Sequence, residues 1–162
     1  MSAASTTGPL KNFASALLLT GLLAGTLDGL AAIINYLVQG GKKPEIIFKY
    51  IASGVFGKEA FTGGTGMIAW GVFFHFLIAF VFTIFFFFIF PRVKWLRANV
   101  IAGGLLYGLF VWLVMNQVVV PLSEISQGPF KLKSAVINML ILMACIGLPV
   151  AVMANKHYLY KK

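Results

Sequence analysis

The sequence predicts an all-α, polytopic membrane protein with four transmembrane helices and a short interfacial helix between the first and second. Three observations carry this. Hydrophobic residues make up 60% of the chain and the mean hydropathy is +0.93, which leaves too little polar surface to cover a water-soluble globule. Four apolar stretches of about twenty residues or more are each long enough to cross a hydrocarbon layer about 30 Å thick. Charged residues are 10% of the total and fall almost entirely between those stretches and at the ends. Helices are required, because open sheet edges are not viable in lipid and a barrel would show alternating strands of about ten residues. The spans consume most of the 162 residues, so the chain reads as one four-helix transmembrane domain.

The first span covers residues 12–39, after a Ser/Thr-rich start and Lys11, and stops before Gly40, Gly41, Lys42 and Lys43. A cleaved signal has a charged leader and an apolar core of about 7–15 residues. Here one Lys precedes an apolar stretch about twice that length, so the segment is read as a retained span. Residues 44–57 interleave Ile46, Ile47, Tyr50, Ile51 and Phe56 with Glu45 and Lys49, the pattern of an amphipathic helix lying in the interface. Gly63, Gly64, Thr65 and Gly66 follow without a Walker lysine and read as a flexible turn, not a phosphate nest.

The second span, 67–90, contains four consecutive phenylalanines, Phe85 to Phe88, and ends at Pro91, Arg92, Lys94 and Arg97. The third, 98–120, is closed by Pro121 and followed by a polar loop with Glu124, Ser126 and Gln127. The fourth, 134–155, holds Pro149, which is expected to kink it, and His157, Lys161 and Lys162 come after it. Trp70, Trp95, Tyr158 and Tyr160 fall near span ends, where interfacial aromatics sit.

Thirteen Lys and Arg against four acids give a net charge of +9. The basic residues flank the spans instead of forming one block with interleaved aromatics, so the charge implies lipid-headgroup anchoring and not nucleic-acid binding. Four spans place both termini on one side. That side carries Lys11, Arg92, Lys94, Arg97, Lys156, Lys161 and Lys162, and the other Lys42, Lys43, Lys49, Lys58, Lys131 and Lys133. The Arg92–Arg97 cluster in a short loop favours cytoplasmic termini. Cys145 is the only cysteine, so no intramolecular disulfide forms, and no Cys/His spacing suits zinc or haem. No cofactor is expected. No G-x-S-x-G elbow, H-E-x-x-H pair or paired carboxylates occur, so the chain is not read as an enzyme.

Asp28 is the only acidic residue inside an apolar stretch. A centred carboxylate costs about 2.5–3.5 kcal/mol on insertion scales and by default marks a function. At about 1.5 Å per residue, Asp28 lies about 16 Å and His75 about 12 Å from the side opposite the termini. Asn35, Asn116 and Asn138 fall nearer that side, whereas the terminal half offers mainly Thr20, Thr83 and Tyr107. The polar groups would then line a dead-end vestibule opening away from the termini. Gly21, Gly25, Asp28, Ala32 and Asn35 share a stripe on the first helix; Gly71, His75 and Ala79 form a ridge on the second, and Gly104, Gly108, Trp112 and Asn116 one on the third. A single packed seam of these ridges would bring Asp28 and His75 together to relay protons or hold a cation. The competing reading is that glycine ridges serve packing alone and the Asn and His side chains are interhelical hydrogen-bond glue, worth about 1 kcal/mol or less.

The stretch from His75 through Phe90, Pro91, Arg92, Val93, Lys94 and Trp95, with Gly104, Gly108, Pro121 and Leu122, resembles the bacterial YagU-like inner-membrane family over about a third of the chain. That resemblance implies an inner-membrane location and an association with acid tolerance. Asn116 stands where the family would lead one to expect a histidine-containing region, which departs from a proton-handling pattern.

Two functions follow as expectations. One is transport or permeation of a proton, cation or small polar solute, with Asp28, His75, Asn35, Asn116 and Asn138 as the binding residues and oligomerisation supplying a through-path. The other is a non-catalytic scaffold or accessory subunit docked on a larger membrane protein.

Overall fold

The computed structural model describes residues 12–125 and 131–159; Lys11, Ser126, Gln127, Tyr160, Lys161 and Lys162 lie outside the described residues. Every regular element among the described residues is helical, and four segments are long and apolar enough to cross a membrane: Phe13–Val38, Thr65–Ile89, Val100–Val119 and Leu132–Leu159. The chain is a four-span membrane protein whose outer faces present apolar side chains such as Ile34, Phe73, Phe88 and Ile101, each more than half exposed. That is the inverse of a soluble protein and the pattern lipid requires.

Helix α1 (Phe13–Val38) opens with Asn12, whose Oδ1 accepts from the Ala14 N–H at 3.0 Å, satisfying one of the donors a helix start leaves free. It closes at Gly40, whose φ of 87° is left-handed backbone suited to glycine. Helix α2 (Glu45–Phe56) occupies the expected amphipathic segment. A short helix α3 (Glu59–Thr62) follows, which apolar periodicity is too coarse to reveal. The glycine turn before α4 (Thr65–Ile89) is not free. The Lys49 ammonium donates to the Gly63 carbonyl at 2.6 Å and the Phe61 carbonyl at 3.3 Å, tying the turn to α2. The basic exit from α4 forms another short helix, α5 (Lys94–Ala98), while the Arg92 guanidinium lies 3.9 Å over the Phe88 ring and donates to its carbonyl.

The last two spans each contain a widened π turn. Helix α6 (Val100–Val114) continues into Met115–Val119, where the Val120 N–H reaches the Met115 carbonyl at 2.8 Å. Helix α7 (Leu132–Leu142) and helix α8 (Leu148–Leu159) are joined through the π turn Met143–Gly147. Both π turns end two residues before a proline, Pro121 and Pro149. Proline lacks an N–H and crowds the carbonyl four residues back, and a wider turn relieves both. The irregularity expected at Pro149 is therefore taken up in the turn ahead of it, and the span stays continuous.

Packing uses two seams, not the single one anticipated from the ridges. On α1, Gly21, Gly25 and Gly29 receive Phe80, Phe76 and His75 of α4. On α6, Gly104 and Gly108 lie against the backbone of Gly147 and Met143. Gly71 serves a different contact from His75 and Ala79, since the Phe48 carbonyl of α2 fills the place of its missing side chain. α1 packs on α4 and α8, and α6 on α8 and the second π turn, whereas α4 and α6 make few close backbone contacts and meet through side chains such as Phe85 and Tyr107.

The half of the bundle nearest the termini is solidly filled. Phe86, Phe87, Phe90, Val150, Ala151 and Ala154 are buried there, with Thr20, Thr83 and His157 among them. Thr20 and Thr83 hydroxyls donate back to the Ala16 and Ala79 carbonyls, so neither is left unsatisfied. Tyr158, near the end of the fourth span, stacks on Phe90 and its hydroxyl donates to the Phe87 carbonyl at 2.9 Å.

Candidate functional site

The other half of the bundle encloses a cavity of about 460 Å³. Asp28 and Ala32 line it from α1, His75 and Phe82 from α4, Asn116 from the first π turn and Asn138 from α7. Asp28 and His75 each stand about ten residues inside the end of their helix, so both lie about 15 Å deep, and both line the cavity. They are within electrostatic range of each other. Asp28 reaches the cavity because it sits beside, not on, the glycine face that α4 occupies.

The imidazole is held by the backbone. His75 Nε2 is 2.8 Å from the Gly25 carbonyl oxygen; a carbonyl only accepts, so Nε2 carries the hydrogen, and in the neutral ring Nδ1 is the acceptor. Phe48 of α2 meets the ring edge-on, with centroids 6.3 Å apart. Gly29 is what lets the ring approach, since a Cβ there would stand 3.2 Å from Nε2. A carboxylate and an imidazole facing one low-dielectric space can share a proton or hold a cation between them.

The three asparagines play different parts. Asn138 lines the cavity and its Oδ1 accepts from Asn35 Nδ2 at 3.2 Å. Asn35 is itself held, its Oδ1 accepting from Gln39 Nε2 at 2.9 Å, and it does not line the cavity. Its position, one helical turn nearer the membrane surface than Ala32, makes it a clamp between α1 and α7. Asn116 lines the cavity while its Nδ2 donates to the Trp112 carbonyl at 2.8 Å.

Ala79, Phe82, Val111 and Ile146 form the deep end, and beyond them lies the filled aromatic core. Tyr107 fastens this floor: its hydroxyl donates to the Phe82 carbonyl at 2.6 Å and its ring packs on Phe86 at 4.5 Å. At the shallow end Tyr50 and Gly54 of α2 and Ser123 and Ile125 of the loop after the third span complete the wall. The Glu124 N–H bonds the Gly54 carbonyl at 3.1 Å and joins the two segments. Tyr50 and Ser123 were not singled out from sequence. Tyr50 had a signal, its place on an amphipathic helix, whereas Ser123 in a short loop had none.

Among the described residues no group of three His, Cys, Asp or Glu side chains is placed to hold a metal ion. The rest of the cavity wall is mostly aliphatic and aromatic, so Asp28 is its one acidic group. No protein-family model, curated protein or solved structure matches this chain, and its function is therefore read from the cavity itself.

Proposed function

We propose that the protein transports a proton or a small cationic solute, using Asp28 with His75 as the binding pair in a one-sided cavity. The observation that carries this reading is the placement of the only buried-span carboxylate on a cavity wall, level with an imidazole, above a sealed floor. A carboxylate kept at mid-depth for packing alone would gain more from an ion-pair or hydrogen-bond partner in the adjacent seam than from facing open space. The closed floor means that transport requires the floor to open in turn, as in alternating access. The cluster Arg92, Lys94 and Arg97 supports termini in the cytoplasm, and the bilayer in question is taken to be a bacterial-type inner membrane. The test is proton and cation flux into proteoliposomes across about pH 5 to 8, where histidine titrates. Native protein is expected to carry flux, and Asp28→Asn to lose it while remaining folded and reconstituted; equal flux from both would refute the proposal.

A further inference from the structure

Leu77 brings the cavity wall to the outer face of α4, where a lateral window would open. It contributes to the cavity wall yet is 47% exposed, and it lies away from the α4 face that α1 covers through His75, Phe76, Ala79 and Phe80. The window lies on the side where α4 and α6 make few close backbone contacts. Toward the near surface, α2 spans this gap, resting on Gly71 and bonded through Gly54 to Glu124. Toward the termini, Phe85 closes it by stacking on Phe110 at 5.8 Å and Tyr107 at 6.4 Å. Between these closures Leu77 lies about 18 Å along α4 from Thr65, at the depth of hydrocarbon tails.

Resting on the transport reading above, we infer that the solute is a lipophilic ammonium ion, an organic amine with an apolar body, admitted from the bilayer between α4 and α6 and held with its nitrogen at Asp28. A window at hydrocarbon depth admits molecules that partition into lipid. Phe74, Ile78, Phe82 and Ile141 offer such a molecule an apolar bed, and a carboxylate at its end selects positive charge. Aromatic faces add affinity for ammonium groups. A bare divalent cation would need about six oxygen ligands, more than Asp28, Asn116, Asn138 and Ser123 supply together. The volume of about 460 Å³ suits a small ligand, within the range of about 300–1,000 Å³ for such pockets, and the depth of Asp28 keeps lipid headgroups at the surface.

The experiment measures octylammonium binding to the protein in phosphatidylcholine nanodiscs, against octan-1-ol and tetramethylammonium. Octylammonium is expected to bind at least about tenfold more tightly than either, because each of them lacks one of the two features. Asp28→Asn is expected to lose about tenfold in octylammonium affinity. Leu77→Trp changes an exposed position outside both packing seams, so it keeps the fold and slows octylammonium association by narrowing the window. Octylammonium binding that Asp28→Asn leaves unchanged would overturn the inference, as would competition by added phosphatidylethanolamine, which would assign the site to a headgroup. Unaltered association in Leu77→Trp would overturn the lateral route. Asp28-dependent proton flux without octylammonium binding would leave the transport reading standing and remove only this solute class.

Discussion

The His75 imidazole packs tightly over Gly29: Nε2 bonds the Gly25 carbonyl at 2.8 Å and would stand 3.2 Å from a Cβ at position 29. Two residues four apart on α1 thus provide, respectively, the acceptor and the clearance that set the ring facing the cavity.

Gly29→Ala sets a helix-propensity gain of about 1 kcal/mol against a displacement of the ring by a few tenths of an ångström, so its thermal stability in detergent should change little. Gly29→Leu overpacks the same spot, should cost about 1–3 kcal/mol, and breaks the Nε2 bond. The two variants compared by thermal unfolding and by flux should separate, with Gly29→Leu losing more of both. Equal behaviour would show that the contact does not position the ring.

Tyr107→Phe removes the hydroxyl that fastens the floor and leaves the Phe82 carbonyl with one donor fewer. Within a bundle such a bond is worth about 0.6–2 kcal/mol. Unfolding midpoints in detergent should fall accordingly, and the background leak of reconstituted protein should rise, since the ring still fills its place but no longer holds α4.

Asn35→Ala releases Asn138 from its partner on α1. A loss of about 0.5–1 kcal/mol in stability is expected, with the Asp28-dependent part of flux retained, because Asn35 stands outside the cavity. Flux falling as far as in Asp28→Asn would place Asn35 in the binding set.

Gly108→Leu would drive a side chain into the Met143 backbone at the second π turn. Backbone cannot swing aside as a ring can, so this variant should be the more damaging of the two glycine replacements, beyond the Gly29→Leu cost of about 1–3 kcal/mol. Parallel unfolding curves for Gly29→Leu and Gly108→Leu check the ranking.

Much of this arrangement is legible in the sequence. Apolar length alone gives the four spans, and depth arithmetic brings Asp28 and His75 to within about 4 Å of each other in depth because helical rise is constant. The polar residues of the far half and the dry residues of the terminal half were separable by the same arithmetic. Facing was less legible. Asp28 shares a 100° sector with Gly25, and only the α4 contacts decide that glycine takes the seam and the carboxylate the cavity. Asn35 lies on the same stripe yet is held by Gln39 and Asn138, a choice between partners that periodicity does not encode. The π turns were hidden because Pro121 and Pro149 announce a disturbance without saying how the preceding turn absorbs it. Short helices α3 and α5 are below the length at which a period can be read. Tyr107 and Tyr158 look like any aromatics of a span, and their roles depend on which carbonyl their hydroxyls reach.

Whether the cavity opens away from the termini and is closed by the aromatic floor is read out by thiol labelling in proteoliposomes of defined orientation. The chain would carry Cys145→Ser, with Ala32→Cys on the cavity wall or Thr83→Cys in the filled half. A water-soluble, membrane-impermeant reagent should label Ala32→Cys from the side opposite the termini alone and leave Thr83→Cys untouched from either side. Labelling of Ala32→Cys from the terminal side, or its protection from both sides, would show that the cavity does not open away from the termini.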